Sequence, residues 1–194
     1  MRYDPAKPFV NRFTKEFVVA VNAIDTHEIV RRHRNDDGTY RLAELSLAIG
    51  AARELWQPVV DAADGVNRHW RAVHECDEVD IYAISWLPGQ TTGFHDHCDS
   101  SFGVTCVRGA IFEDRPWNGP GGVETNRVEV GGTTGGVPGV MHVIRYADGD
   151  PGVTIHCYAP KLLRVGQIFY DKDGRWVRRE RDGQEELVEG LLPC

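Results

Sequence analysis

The chain has few of the features that would place a protein in a membrane or outside the cell. Its 194 residues contain no run of about 18 apolar residues, the length of a membrane-spanning helix. The first residues, MRYDPAKPFVNRF, lack the apolar core of a secretion signal. Positive charge is also scarce, since 22 Lys and Arg stand against 29 Asp and Glu, a net charge of −7. We therefore expect a cytoplasmic protein with no nucleic-acid or membrane partner.

Cysteine is sparse and irregularly spaced. The five cysteines lie at positions 76, 98, 106, 157 and 194, an odd number with no CxxC pair. A disulfide framework is not expected from such a pattern in a chain of this length. We expect mostly free thiols in a reducing compartment.

Glycine is rare in one part of the chain and frequent in another. Residues 1–70 contain three glycines, whereas 14 of the 21 lie between residues 86 and 153. This contrast predicts a helical first third followed by a turn-rich β region. We expect one domain, with a helical part at 1–66, a β-barrel at 67–180 and a charged, solvated tail at 181–194.

Helical signals are concentrated before residue 66. Asp25 followed by Glu28 is typical of a helix N-terminus. Apolar residues then recur every three to four positions from Leu42 to Trp56, which predicts one amphipathic helix over about 41–63. Covering one face of a sheet is a sufficient role for such helices, so we assign them no further function.

Short apolar or alternating runs dominate after residue 70. They lie at 79–87, 104–112, 127–130, 140–146, 153–159, 165–170 and 176–179. Turn signals at 88–89, 118–122, 148–149 and 173–174 separate them. Several short strands with regular turns predict a mostly β sandwich or small barrel.

The segment His95-Asp96-His97 is a candidate metal site. Two histidines at i and i+2 on a strand point to the same face, and Asp96 points away. Neutral imidazole suits Fe, Zn, Cu and Ni. An HxH pair alone is weak evidence, since hydrogen bonds can also satisfy two half-buried histidines. His142, which we expect on a separate strand, is a candidate third ligand.

The strand predicted at 153–159 alternates in polarity. Thr154, His156 and Tyr158 share one face, and Ile155 and Cys157 share the other. The polar face lines either solvent or a cavity. We favour the cavity, because a turn at 148–149 would return this strand antiparallel to the one that carries His142.

At this point the sequence resembles a known family. The run WLPGQTTGFHDHCDSSFGVTCVRGAIFE, residues 86–113, resembles the first motif of cupins, and specifically of cysteine dioxygenase-type thiol dioxygenases. The run HVIRYADGDPGVTIHCYAP, residues 142–160, is similar to the second motif. The resemblance covers about residues 68–170. It implies a cupin, or jelly-roll, β-barrel with the helical segment packed on it.

The resemblance also implies roles for individual residues. Fe(II) would be bound by His95, His97 and His142. An outer relay would consist of Thr154, His156 and Tyr158, with Thr where the family often has Ser. The substrate carboxylate would be held by an arginine on an early strand, for which Arg71 is the best match and Arg68 the second.

One position departs from the wider family. General cupins have a Glu ligand shortly after the HxH pair, and the mammalian branch has there a Cys that is cross-linked to the active-site Tyr. This chain has Phe102 followed by Gly103. The resemblance therefore points to the bacterial, uncross-linked branch with a three-histidine site.

The expected function is that of an iron(II)-dependent thiol dioxygenase acting on a small thiol carboxylic acid and O₂. L-Cysteine, giving cysteine sulfinic acid, is the expected substrate because of Arg71. For 3-mercaptopropionate or a related thiol, Arg164 or Gln167 would serve instead. Two alternatives stay open: a non-catalytic metal-binding cupin, and another metallo-cupin enzyme such as an isomerase or a hydrolytic zinc enzyme.

Overall fold

The computed structural model describes residues 24–116 and 122–187. Predictions for residues 1–23 and 188–194, and for most of the turn at 118–122, lie outside the described residues.

Three short helices precede the strands. They are α1 (Thr26–Arg32), α2 (Leu42–Gly50) and α3 (Arg53–Asp61). The predicted N-terminus of α1 is confirmed, because the Asp25 side chain accepts a hydrogen bond from the Glu28 backbone N–H at 3.1 Å. The single helix predicted over 41–63 is wrong, since the chain leaves the helical conformation at Ala52, where ψ is 83°.

The break between α2 and α3 allows both helices to pack on one sheet. Leu45 and Ile49 of α2 are fully buried, and Leu55 of α3 is 2% exposed. In a single straight helix, the apolar side chains of α2 and those of α3 could not both face the sheet, so the bend increases apolar burial. The Trp56 indole N–H donates to the Gly50 carbonyl at 3.0 Å and satisfies the end of α2.

The described residues form eleven strands, all paired antiparallel. They are β1 (Trp70–Glu75), β2 (Asp80–Trp86), β3 (His95–Asp96), β4 (Ser101–Arg108), β5 (Ala110–Pro116), β6 (Val123–Glu129), β7 (Thr133–Gly136), β8 (Val143–Tyr146), β9 (Gly152–Ala159), β10 (Arg164–Tyr170) and β11 (Trp176–Asp182). Their sheet orders are β1-β2-β9-β4-β7, β11-β10-β3 and β6-β5-β8. The expected fold class, mostly β with an N-terminal helical segment packed on the strands, is confirmed.

The apolar run at 104–112 divides at Gly109, whose φ is +65°, into β4 and β5 of different sheets. A Cβ at Gly109 would lie 2.7 Å from the Asp150 carbonyl oxygen, so both the turn and the close approach require glycine. The expectation that β9 returns antiparallel beside the strand before it is wrong, because residues 147–151 carry the chain from the sheet of β8 to the sheet of β9.

The five-stranded sheet separates two clusters of buried residues. Ile155 and Cys157 of β9 pack with the helices in the first cluster. Tyr158, one residue further along, belongs to the second cluster, inside the barrel. The alternation predicted for β9 is thus confirmed, and its polar face lies inside the protein: Thr154, His156 and Tyr158 are at most 1% exposed.

Helix α2 lies directly on the sheet at Gly103 of β4. A Cβ at Gly103 would be 2.3 Å from the Leu42 carbonyl carbon. Only glycine permits this approach, which fixes the helical segment on the outer side of the barrel.

The first half of the segment predicted to be a solvated tail is ordered and partly buried. A 3₁₀ helix, Gly183–Glu186, follows β11. Leu187 is fully buried in the second cluster, beside Leu162 and Val165. Its burial ties this end of the described chain to the core.

The described cysteines, 76, 98, 106 and 157, are all free thiols, as expected. Among the described helices, none has the length and apolar character needed to cross a membrane.

Candidate metal centre

Three histidines meet inside the barrel. His95, His97 and His142 are each at most 1% exposed, and their candidate ligand nitrogens all lie within 4.8 Å of one another. Their ring centroids are 4.7 to 5.1 Å apart. The structure therefore brings together the three residues that the sequence predicted as ligands.

Backbone pairing positions the third histidine opposite the first. The His95 N–H donates to the His142 carbonyl at 3.0 Å, and the His142 N–H donates to the His95 carbonyl at 2.9 Å. The two residues are thus a hydrogen-bonded antiparallel pair with side chains on one face.

Asp96 points away from the cluster, as predicted, and anchors it from behind. Both of its carboxylate oxygens accept hydrogen bonds from Arg178, at 2.7 and 2.8 Å. Gly166 leaves space for the Arg178 guanidinium, since a Cβ at this position would lie 2.4 Å from it. Burial raises the pKa of Asp96, but the hydrogen bonds from Arg178 and the Cys98 N–H together with the Arg178 charge lower it below its ordinary value.

Hydrogen bonds at Nδ1 orient two of the three rings. His95 Nδ1 lies 3.0 Å from the Gly93 carbonyl oxygen, so it carries the proton and Nε2 carries the lone pair. His142 Nδ1 lies 2.9 Å from Glu113 Oε1, which fixes the same tautomer. His142 Nε2 is buried with no hydrogen-bond partner.

These residues fit a metal ion. A buried imidazole nitrogen with a lone pair and no partner is costly unless a ligand satisfies it. Three neutral imidazoles are a donor set for Fe, Zn, Cu or Ni, so the donor set fits iron without identifying it.

Glu113 of β5 is a site residue that the sequence interpretation missed. It is 2% exposed and accepts hydrogen bonds from His142, from Arg115 at 2.9 Å and from Thr134 at 2.6 Å. Burial raises the pKa of Glu113, but these bonds, with that from His142 the largest, lower it to about 2. Burial lowers the pKa of His142. The pair is therefore an ionised carboxylate beside a neutral imidazole.

Phe102, for which the sequence resemblance implied a position that could hold an acidic ligand, lies against the histidine cluster. Its ring is 4.3 Å from that of His142 and 4.7 Å from that of His97, and it is the register partner of Tyr158. An aromatic ring here adds no charge to the metal centre and provides no thiol for a cross-link.

The three residues predicted to form the relay lie in a continuous chain of hydrogen bonds. Thr154 Oγ1 lies 2.8 Å from His156 Nε2, and His156 Nδ1 lies 3.0 Å from the Tyr158 hydroxyl. Trp86, which the sequence did not indicate, extends the chain: its indole N–H donates to Thr154 Oγ1 at 2.7 Å. The Tyr158 ring is 5.0 Å from that of His97, so the relay ends beside the histidine cluster.

The structure does not bring Arg71 to the cluster. Arg71 is the register partner of Ala83, whose side chain lies in the cluster of residues facing the helices. Directly paired residues share a face, so Arg71 points to the outer side of the sheet. Its neighbours Trp70 and Ala72 face the interior instead.

The other candidates for substrate binding are placed differently from one another. Arg68 is buried, stacks 4.3 Å from the Trp86 ring and donates to the Thr91 carbonyl. Arg164 is at the surface in ion pairs with Asp99 and Glu180. Gln167 is 2% exposed and is the register partner of His95, which places it on the face of the histidine cluster.

Comparison with known proteins gives likenesses to solved structures alone. No family model and no curated protein matches the chain. An uncharacterised protein with a double-stranded β-helix domain from Klebsiella pneumoniae has 18% identity, covering 64% of this chain and 94% of its own, with a TM-score of 0.45. KdgF from Halomonas has 18% identity over 52% of this chain and 84% of its own, with a TM-score of 0.42. Oxalate oxidase in complex with glycolate has 12% identity over 53% of this chain and 57% of its own, with a TM-score of 0.44. We take no function from these likenesses.

Proposed function

We propose that this chain is an iron(II)-dependent dioxygenase of a small thiol. The reaction is R–SH + O₂ → R–SO₂H. Both oxygen atoms become bonded to sulfur, the S–H bond is replaced by an acidic O–H, and sulfur supplies all the electrons that dioxygen takes up. No further reductant is needed. The observation that carries the proposal is the buried relay ending at Tyr158 beside the three-histidine cluster.

The three ligands explain why a thiol would be bound. His95, His97 and His142 are uncharged donors, so the site keeps the full charge of a bound Fe(II), which would supply binding positions for the thiolate and for dioxygen. A carboxylate ligand would offset part of that charge, and the sequence resemblance puts Phe102 where such a ligand would be. The site therefore favours an anionic sulfur.

The relay fixes where the Tyr158 proton points. An indole N–H only donates, so Thr154 Oγ1 accepts from Trp86 and its own proton is directed to His156 Nε2. His156 then carries its proton on Nδ1 and donates it to the Tyr158 oxygen. In this direction the Tyr158 O–H acts as a donor, and its proposed role is to donate to a substrate atom and to release a proton to it.

L-Cysteine was the expected substrate because Arg71 would hold its carboxylate. The register of β1 and β2 gives no support to that role, since Arg71 faces the helices. The proposal therefore concerns the thiol chemistry, and it depends on no arginine at the carboxylate position.

Oxygen consumption by the iron-loaded protein tests the proposal. The protein is loaded anaerobically with Fe(II), mixed with L-cysteine, 3-mercaptopropionate or cysteamine, and exposed to O₂ in an oxygen electrode. We expect uptake with at least one thiol and a sulfinate product containing both atoms of ¹⁸O₂. Absence of uptake with every thiol, in protein with stoichiometric iron, would overturn the proposal.

Two variants separate metal binding from chemistry. His142→Ala is expected to lose both iron and turnover, because it removes a ligand. Tyr158→Phe keeps the ring against His97 but removes the hydroxyl, and is expected to retain iron while turnover falls by about 10²-fold or more. Equal turnover in Tyr158→Phe and the unmodified protein would contradict the assigned role.

A further inference from the structure

A buried carboxylate lies beside Tyr158 on the neighbouring strand. Asp80, the first residue of β2, is the register partner of Tyr158 and is 2% exposed. Directly paired side chains share a face, so Asp80 lies on the inner face of the sheet. Its Oδ2 accepts from the Leu162 N–H at 3.0 Å, whereas its Oδ1 is buried with no hydrogen-bond partner.

A second carboxylate, Glu75, and the ring of Tyr82 lie next to Asp80, and Trp70 packs on the Tyr82 ring. Glu75 is the register partner of Asp80 on β1 and is exposed, so it lies at the rim of the sheet. The Tyr82 hydroxyl donates to Glu75 Oε1 at 3.5 Å. The Tyr82 ring contacts Trp70 edge-on at 5.9 Å and lies 6.2 Å from the Tyr158 ring. This corner therefore combines negative charge with aromatic surface.

No arginine or lysine in the described residues forms an ion pair with Asp80. Arg71 lies on the opposite face, and Lys161 is near enough to influence the pKa of Asp80 but forms no ion pair with it. Burial raises the pKa of Asp80, against the opposing effects of the Leu162 N–H, of Lys161 and of the nearby Tyr82 hydroxyl. A buried carboxylate without an ion-pair partner would be stabilised by a cationic ligand.

We propose that the substrate is an aminothiol whose ammonium group is bound by Asp80, with Glu75 at the rim and Tyr82 beside it. This inference rests on the proposed thiol dioxygenase function and names the substrate class. The thiolate is directed to the three histidines and the ammonium to the carboxylate side of Tyr158. A thiol with a carboxylate in place of the ammonium meets like charge at Asp80 and is disfavoured.

Two thiols with the same two-methylene spacer and opposite terminal charge test this inference directly. Cysteamine and 3-mercaptopropionate are titrated anaerobically into the Co(II)-loaded protein, and the dissociation constants are read from the thiolate-to-cobalt absorption band. We expect cysteamine to bind at least about tenfold more tightly, the size of one charge-assisted hydrogen bond. N-Acetylcysteamine, which keeps the thiol but has no ammonium, is expected to bind as weakly as 3-mercaptopropionate.

Two matched variants locate the preference. Asp80→Asn retains an oxygen that can accept from the Leu162 N–H and is expected to abolish the preference for cysteamine. Asp77→Asn removes the same charge from an exposed position and is expected to keep the preference. A preference that persists in Asp80→Asn, or tighter binding of 3-mercaptopropionate by the unmodified protein, would overturn the inference.

The outcomes also separate this inference from the proposed function. If Asp80→Asn does not fold, the comparison of cysteamine with its N-acetyl form in the unmodified protein decides the question, and equal binding overturns the inference. If cysteamine is preferred but the Fe(II) form consumes no O₂ with any thiol, the function is wrong and the binding assignment stands.

Discussion

Replacing Glu113 by Gln should weaken metal binding, although Glu113 is not a ligand. The substitution keeps the size of the side chain but removes the charge that holds the Nδ1 proton of His142, 2.9 Å away. The Gln amide can also turn its NH₂ toward His142, which would favour the wrong tautomer. Loss of such a partner typically costs 10–100-fold in metal affinity, or about 1.4–2.7 kcal/mol.

The same substitution should lower the stability of the metal-free protein. The bonds from His142, Arg115 and Thr134 lower the pKa of Glu113 from its ordinary 4.5 to about 2, even though burial opposes them. A shift of this size corresponds to a stabilisation on the order of 3 kcal/mol at neutral pH. Because Gln can keep some of these bonds, the expected loss of unfolding free energy is at most about that amount.

Competition with a coloured chelator for Co(II) and urea unfolding measure the two effects. Asp114→Asn is the matched control, since Asp114 is the next residue of β5, faces the other side and is bonded to Arg145 and Thr125. The control is expected to lose some stability and no metal affinity. The reasoning is refuted if Glu113→Gln binds Co(II) within about twofold of the unmodified protein.

Further predictions concern the relay, the helix contact and pH. Trp86→Phe removes the donor that directs the relay, so turnover is expected to fall about tenfold at unchanged iron content, and unchanged kcat would contradict the direction assigned to the relay. Gly103→Ala places a Cβ 2.3 Å from the Leu42 carbonyl carbon and is expected to lower the free energy of unfolding by about 1–3 kcal/mol in urea titrations. Gly152→Ala, whose Cβ would have its nearest contact at 3.3 Å, should lower it less. Equal losses would count against the close packing of α2 on Gly103. Because the pKa of Glu113 is lowered in the folded protein, its contribution to stability is present above pH 4.5 and is lost as the pH falls toward 2. The free energy of unfolding should therefore fall less steeply with acid in Glu113→Gln than in the unmodified protein. Identical curves for the two proteins would contradict this role of Glu113.

The histidine motifs could be predicted because they depend on local periodicity. His95 and His97, and the three polar residues of β9, are separated by two positions, and a strand of either direction or partner places such residues on one face. The sequence could not indicate which strands flank β9, since the partners β2 and β4 are set by long-range packing.

Arg71 shows how a single residue of register decides a side chain's role. Trp70 and Ala72 face the interior, and Arg71 between them faces the helices. A prediction from motif spacing has an uncertainty of at least one residue, which in a strand inverts the face. Glu113 had no local signal either, because it meets His142 only through the pairing of β5 with β8.

The position of Arg71 changes the expected electrostatics of the pocket. With Arg71 inside, the pocket would combine an arginine with the metal and select a thiol acid. With Arg71 outside, the side chains beside Tyr158 include Asp80, Phe102 and Tyr82, and positive charge inside the barrel would come from a bound metal ion and from the buried Arg68, which stacks on Trp86. Negative charge would then be required at the sulfur end of the substrate and positive charge at the other end. An aminothiol has this polarity, so the proposed sulfur chemistry at the histidines and the proposed charge selection by Asp80 are compatible, and each is tested by a different measurement.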